Sequence, residues 1–351
     1  MFKIGNQIIT RVVVGTNDMN SVVVGGTQVF PDNSYLKVQV AKEYADTTNS
    51  SVHYLPINNE TITAYGNKIG DLIDGLIPGV DSQNIPASLR VLSIEVNTDT
   101  PITLDYNTFH KTINGTDYIG KIMTFQIPEN SNVTLEASAF QSTNLSRIGT
   151  NINSSQSRLP SYLTSLPQYL FNNAQLVSVY IPSTTTHIGK YCFNNCPLKS
   201  AIFGKITGWY YGAKSLSSFL DMREQVNNAT YLKSTYASYV LERVASIPAQ
   251  FKTWKNGYIL NTKTGETLGY TANSSWTSAK APKTVPVGAT SLKWDTFKFM
   301  NTYDSNKKLL RAQLWNADTT YTLNSNDKFI CGSLLNSSFS GIATVTFNFE
   351  K

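Results

Sequence analysis

Charge, cysteine and histidine are all scarce in this chain. Only 15% of its 351 residues are charged. Asn, Ser and Thr fill the polar positions instead, a neutral chemistry frequent on extracellular β proteins. The three cysteines, Cys192, Cys196 and Cys331, are odd in number and fit no metal-ligand spacing. A disulfide scaffold is therefore excluded, and Cys192 and Cys196 in YCFNNCPL read as small core hydrophobes. No apolar run reaches the length of a transmembrane helix, which argues against membrane insertion. The start of the chain lacks a basic segment followed by an apolar stretch, so the expectation is synthesis in a cytoplasm without export by the usual route.

Catalytic constellations are also missing. His53, His110 and His187 have no nucleophile or carboxylate at a telling spacing. Asp71 and Asp74 in KIGDLIDGLIPG share one side of a helix. A carboxylate pair is what glycoside hydrolysis needs, but a solvated helix face explains them more simply. DYNTF and TYDSN carry single acids without a calcium-loop pattern. No P-loop, GxSxG or HExxH occurs. The expectation is no enzyme, no cofactor and no metal. Net charge is +6 with a pI near 9.0, but the cations are scattered and the longest basic run is Lys307-Lys308, with Arg311 near it. Nucleic-acid binding is not indicated, whereas an anionic polysaccharide or cell envelope suits a modest positive charge.

What the chain does have is repetition. It opens MFKIGNQIITRVVVGTNDMNSVVVGGTQVFPD, with Gly5, Gly15 and Gly25 evenly spaced and β-branched runs ending in Gly. Such runs favour extended backbone, and the glycines are hairpin punctuation. The prediction is a small meander of short strands, too small to bury a core of its own. It is either an ordinary sheet of the first domain or a segment that docks on a larger assembly.

A longer repeat follows. Phe109, Phe140 and Phe171 are 31 residues apart, and Phe193 comes 22 later. Upstream of Phe140 lies MTFQIPENSNVTLEASAF and upstream of Phe193 lies VSVYIPSTTTHIGKYCF. Each reads as a strand, Ile-Pro, a polar turn and a short segment ending in Phe. Pro stops the strand and Asn after Phe bonds turn backbone. The physical reading is a solenoid, in which each copy buries its apolar side only against its neighbours. Its predicted core is Phe109, Phe140, Phe171, Leu176, Ile181, Ile188, Phe193 and Leu198. From Leu232 through Tyr236, Tyr239, Val240 and Val244 the apolar spacing turns helical, with Pro248 to close it. After Gly257 the chain is strand-like again. YILNTKTGETLGY is a hairpin with Lys263-Thr264-Gly265 at its turn, and GIATVTFNFE alternates plainly. Trp209-Tyr210-Tyr211 is placed to cap the end of the solenoid.

Three family resemblances attach to these segments. LVSVYIPSTTTHIGKYCFNNCPLKS, Leu176 to Ser200, resembles the leucine-rich repeat of BspA-like bacterial surface antigens, with Cys192 where Ala is usual and Thr186 where an apolar residue is expected. That resemblance implies a curved recognition or spacer surface. The opening repeat resembles the start of structural proteins from tailed phages, including crAss-like phages. Lys3, Gly5, Asn6, Ile9, Val14-Gly15 and Val24-Gly25 match, and Val13 and Val23 stand where Tyr is usual. The order GYI, TG, apolar strand and YDSNKK resembles a C-terminal sandwich of phage tail and fibre proteins, often assumed to contact glycans.

Together these give a mainly β, multidomain expectation. It comprises an N-terminal β meander (1–32), a mixed β/α region (33–90), a leucine-rich-repeat-like solenoid (91–212), a short helical connector (213–256) and a C-terminal β-sandwich (257–351). The resemblances imply docking to other virion proteins through Ile4, Gly5, Val14, Gly15, Val24 and Gly25. They also imply contact with a host glycan or receptor through the sandwich, where Trp276, in a loop-like ANSSWTSAK, Trp315 and Tyr321 are the candidate sugar-stacking rings. Core packing is the better expectation for Trp294 and Trp315. The implied role is a virion component, a tail fibre or tail-associated appendage exposed on the particle and forming homo-oligomers, with trimers usual among fibres. A head fibre or capsid decoration, a BspA-like bacterial adhesin and a polysaccharide-degrading enzyme are the alternatives.

Overall fold

The structure is a computed structural model. It describes residues 34–41, 50–76, 90–108, 110–113, 116–119, 122–204, 208–212, 218–315, 320–336 and 338–349, with short strands before residue 31. The chain divides into two compact units, residues 1–205 with 223–240, and residues 206–222 with 241–351.

The opening repeat folds as antiparallel two-stranded ladders. Lys3–Ile4 pairs with Gln7–Ile8, Val13–Val14 with Asn17–Asp18, and Val22–Val24 with Thr27–Phe30. Among the described residues these are three hairpins.

A longer hairpin follows, with Tyr35–Ala41 and Ser50–Pro56 in register from Tyr35 opposite Pro56 to Ala41 opposite Ser50. The free edge of Tyr35–Ala41 pairs with Arg90–Asn97, and Thr124–Gln126 and Arg147–Gly149 add on in parallel. Leu36, Val38, Ile94, Val96, Phe125 and Ile148 point inward and are buried, the period-two pattern of a sheet with one wet face. Between these strands lie the helices Asn59–Tyr65 and Ile69–Leu76. The first has a closed cap, in which Asn58 Oδ1 accepts from the Glu60 and Thr61 amides and Thr61 Oγ1 accepts from the Asn58 amide. The second buries Ile69, Leu72, Ile73 and Leu76, the stripe that period 3.6 demands.

The solenoid is built from stacked ladders. Ser157–Arg158, Ser178–Ile181 and Ser200–Phe203 pair in parallel, with Ser157 opposite Val179 and Val179 opposite Ala201. A second ladder joins Ser165–Leu166 to His187–Ile188, and a third joins Ile102–Leu104 to Val133–Leu135. At the Phe turns the backbone forms further rungs. Phe140 N donates to Leu170 O at 2.9 Å and Phe171 N to Cys192 O at 2.8 Å. Ser138 and Ser142, Tyr169 and Asn173, and Tyr191 and Asn195 all have φ near +60°, so each turn flanks its Phe with two left-handed residues. Non-glycine residues enter that region at a cost, which the repeated rungs offset.

The two spacings now have a cause. Twenty-two residues is the plain repeat, and the longer copies carry insertions that leave the stacking intact. In one, the hairpin His110–Ile113 with Thr116–Ile119 lies between paired strands. In the other, Arg147–Gly149 pairs backward with Thr124–Gln126, the chain loops out, and Ser157–Arg158 pairs forward with Val179–Tyr180. Thr150 N donates to Arg158 O at 2.9 Å across that loop. Gly149 sits at φ +130°, where an added Cβ would lie 1.9 Å from Arg158 O, so this crossing needs glycine.

The short helical connector is present. Among the described residues of 213–256, helix runs over Gln225–Thr230 and continues as a π-helical turn at Tyr231–Thr235. Val244 lies in the strand Leu241–Val244, and Pro248 lies within the strand Ser246–Phe251. That strand is at a sheet edge, the place where a missing N–H is tolerated. The helical segment seals the solenoid. Ala237 O accepts from Tyr191 N at 2.6 Å, Asn228 Nδ2 donates to Ala201 O at 2.9 Å, and Lys233 Nζ donates to Leu198 O at 2.8 Å. These groups satisfy donors and acceptors that a next repeat would otherwise take. Trp209-Tyr210-Tyr211 lies in the second unit, where Gly208–Tyr211 pairs with Phe219–Leu220 and Leu241–Val244 and Tyr210 packs with Ile247 and Phe349.

The second unit is otherwise a two-sheet sandwich. One sheet runs Ser246–Phe251, Ala343–Phe349, Ala289–Trp294, Tyr321–Thr322. The other runs Trp254–Leu260, Tyr270–Ala279, Phe329–Leu334, Phe299–Tyr303, Leu309–Trp315, with Lys283–Thr284 also on Phe329–Leu334. Their inward faces bury Phe251, Leu260, Leu292, Trp294, Phe297, Phe299, Val345 and Phe347. Each such side chain is worth about 2 kcal/mol of burial.

Candidate binding surfaces

Within the solenoid the predicted core positions Phe140, Phe171, Leu176, Ile181, Ile188, Phe193 and Leu198 are all buried; Phe109 lies outside the described residues. The phenylalanines form a spine. Phe125 meets Phe140 edge-on at 5.2 Å, Phe140 stacks on Phe171 at 5.7 Å, and Phe171 meets Phe193 at 5.2 Å. A second column stacks Tyr169 on Tyr191 at 5.2 Å. Cys192 and Cys196 are free and buried, and Cys196 Sγ donates to Phe171 O at 2.9 Å. Burial pushes the Cys196 and Cys331 thiols up to about 12 and the Cys192 thiol well above its ordinary value. None is a thiolate nucleophile at neutral pH.

The sequence reading missed how the polar residues are used. Asn194 Nδ2 donates to Asn172 Oδ1 at 2.9 Å, one repeat back. Ser178 and Ser200 share a 2.8 Å hydroxyl contact. Thr185 Oγ1 donates to Leu163 O at 2.8 Å, and Thr184 Oγ1 donates to Ser161 O. These ladders run along both strands and turns and commit polar groups between adjacent repeats. The residues left outward on the parallel strands include Arg158 and Tyr180, whose guanidinium and ring face each other at 4.0 Å. Near the start of the solenoid, Lys68 Nζ bonds Asp105 Oδ2 at 2.8 Å, and Thr108 N and Oγ1 donate to Asp105 Oδ1. Burial pushes the Asp105 carboxyl up, but the bonds from Lys68 and Thr108 outweigh it and hold the group below the usual carboxylate range.

In the sandwich two of the aromatic candidates, Trp276 and Tyr321, pack on core rings. Trp276 lies in the strand Tyr270–Ala279, not in a loop, with its ring 5.4 Å from Phe299 and half-buried against the core. The reason it reads as a loop is a register slip. Asn256 faces Thr277, but Tyr258 faces Ala272, so Asn273-Ser274-Ser275 bulge out exposed before Trp276 turns inward. Tyr321 stacks on buried Trp294 at 4.9 Å and 14°. Trp315 ends the strand Leu309–Trp315 opposite Phe299; its side chain lies outside the described residues. Of the docking candidates, Ile4, Val14 and Val24 lie in the short hairpin strands, while Gly5, Gly15 and Gly25 lie outside the described residues.

For chemistry the residues offer little. Among the described residues no group of three His, Cys, Asp or Glu side chains converges as a metal site, and no helix is long and apolar enough to cross a membrane. His187 stands half-buried in the ladder with Ser165–Leu166. Asp71 is exposed on its helix, and the Asp74 side chain lies outside the described residues.

Parallel ladders, a repeated Phe turn and a 22-residue register are the features against which family comparison is informative. Residues 149–235 match the BspA type leucine rich repeat region, in six copies. The stacked ladders begin before that stretch, at Arg90–Asn97, and the match runs through the sealing helical segment. Neither a curated protein nor a solved structure matches the chain.

Proposed function

We propose that this protein is a non-enzymatic surface attachment protein, in which the solenoid serves as a spacer or recognition surface and the sandwich contacts a glycan or neighbouring subunit. The observation that carries the reading is the BspA-type repeat region with its polar groups committed to internal ladders. Such a body suits a rigid scaffold better than a pocket for chemistry. Saturable adsorption of labelled full-length protein to whole bacterial cells, competed by polysaccharide extracted from those cells, is the expected result. Failure to adsorb to any bacterial surface contradicts it.

The finer reading is a structural component of a tailed-phage virion, a tail fibre or tail-associated appendage exposed on the particle, with a head fibre or capsid decoration as a variant. Its support is the opening repeat, whose three hairpins have strands of two to four residues, a size that needs support from a larger body and suits docking on other virion proteins. Homo-oligomers fit such an appendage, since repeated weak contacts raise avidity. The repeat match itself favours a second reading, a BspA-like adhesin displayed by a bacterium.

A further inference from the structure

Two turns at one end of the larger sandwich sheet are tied together by backbone hydrogen bonds. The turn 261–269 joins Trp254–Leu260 to Tyr270–Ala279, and Asp304–Lys308 joins Phe299–Tyr303 to Leu309–Trp315. Gly265 N donates to Leu309 O, Leu309 N to Glu266 O and Leu268 N to Lys307 O, each at 2.8 Å. Lys328 stands beside them, its amide donating to Tyr303 O at 2.8 Å. Lys307, at φ +58°, Lys308 and Lys328 are exposed.

The nearby acids have partners other than these three lysine side chains. Asp304 Oδ1 accepts the amides of Asn306 and Lys308 at 2.8 Å. Asp327 pairs with Arg311, and Glu266 lies 3.9 Å from Lys263. Among the described residues no ion pair includes Lys307, Lys308 or Lys328. Lys307 Nζ sits 5.8 Å from the Phe329 ring centroid, which directs the stem without neutralising the charge. Between the lysines stand exposed Thr262, Thr264, Thr267, Ser305 and Asn306.

We propose that this double turn binds an anionic polysaccharide, with the lysines meeting its carboxylate, sulfate or phosphate groups and the hydroxyl and amide side chains meeting its sugar hydroxyls. The proposal deepens the glycan-contact reading of the sandwich and rests on it. It moves the contact from the packed rings of Trp276 and Tyr321 to a fixed cationic surface. Nucleic acid fits less well, because single strands bind by stacking on exposed aromatic faces and the exposed residues of these turns are Thr, Lys, Gly, Ser and Asn. A lipid surface fits less well because it needs exposed apolar anchors there. Exposed charges act over about 8 Å at physiological salt, so binding by one site is weak and salt-sensitive.

The test immobilises the full-length protein and measures binding of alginate, dextran sulfate, neutral dextran, duplex DNA and phosphatidylserine vesicles at low and raised NaCl. Lys307→Glu/Lys308→Glu/Lys328→Glu is compared with Lys252→Glu/Lys280→Glu/Lys298→Glu. The second set makes the same charge change with exposed lysines at the other ends of the same sheet's strands. Thermal melts check that both variants fold. Salt-sensitive binding of alginate or dextran sulfate over dextran, lowered about tenfold by the turn variant and less than about twofold by the control, is expected. Equal losses in both variants overturn the site in favour of net charge. Tighter binding of DNA or vesicles overturns the ligand class. Neutral-glycan binding untouched by the turn variant overturns this proposal and leaves the broader glycan reading standing, whereas no glycan binding at all defeats both.

Discussion

The solenoid and the sandwich both bond polar side chains internally, but in different patterns. In the solenoid, Asn172, Asn194, Ser178, Ser200 and Thr185 are spent between adjacent repeats. The interior there is a one-dimensional stack, Phe125 to Phe140 to Phe171 to Phe193, and each layer depends on its neighbours. The sandwich joins residues far apart in sequence, such as Ser246–Phe251 with Ala343–Phe349. It leaves Thr, Asn and Lys outward on its turns. The difference teaches where to look for function. Repetition gives the solenoid regularity at the cost of chemical variety, while non-repeating turns can concentrate one kind of charge.

The sharpest way to break the comparison is to remove a layer of the stack. Phe171→Ala empties a fully buried site between two rings and is expected to destabilise by about 4 kcal/mol. Hydrogen exchange should rise first in the repeats on either side, at Phe140 and Phe193. A uniform rise along the whole chain would refute nearest-neighbour stacking. In the sandwich, Asp327→Ala removes the carboxylate partner of half-buried Arg311 and frees the Asn324 amide, and should cost about 2 kcal/mol by chemical denaturation. A loss under 1 kcal/mol would show that this buried pair contributes little, about what an exposed pair does. Asn194→Ala removes one ladder bond between turns and should cost about 1 kcal/mol. The smallest effect is a pH dependence. The folded Asp105 carboxyl is held below its unfolded value, so its contribution is present above about pH 4 and is lost as pH falls through the folded value. Asp105→Asn should flatten that acid limb of a stability-versus-pH curve, and an unchanged limb would assign it to other carboxylates.

Much of the solenoid was legible because stacking imposes a period. The Phe spacing, the strand before Ile-Pro and the match of FNNAQL to FNNCPL all follow from one layer repeating. The insertions were not legible, since a spacing of 31 does not say whether a hairpin or a doubled strand supplies the excess. The helical segment was over-extended because Tyr239, Val240 and Val244 fit a helical period, although Leu241–Val244 is a strand. Trp209 and Tyr210 follow the last repeat in sequence but are buried in the second unit. Trp276 reads as surface because polar bulge residues precede it, and only the register shows its ring turning onto Phe299. Lys307-Lys308 reads as a short basic run, but Lys328 reads as separate from it because only a backbone bond between distant segments, Lys328 N to Tyr303 O, brings it beside that turn.

The most direct measurement of the central claim is immunogold electron microscopy with antibody to residues 257–351, on particles from infected-culture lysates and on intact bacteria. Gold on the tail or its fibres is the predicted result. Label on the capsid would make this a head fibre. Label on bacterial envelopes alone would contradict the virion reading and establish the adhesin, and label on neither surface would contradict surface attachment itself.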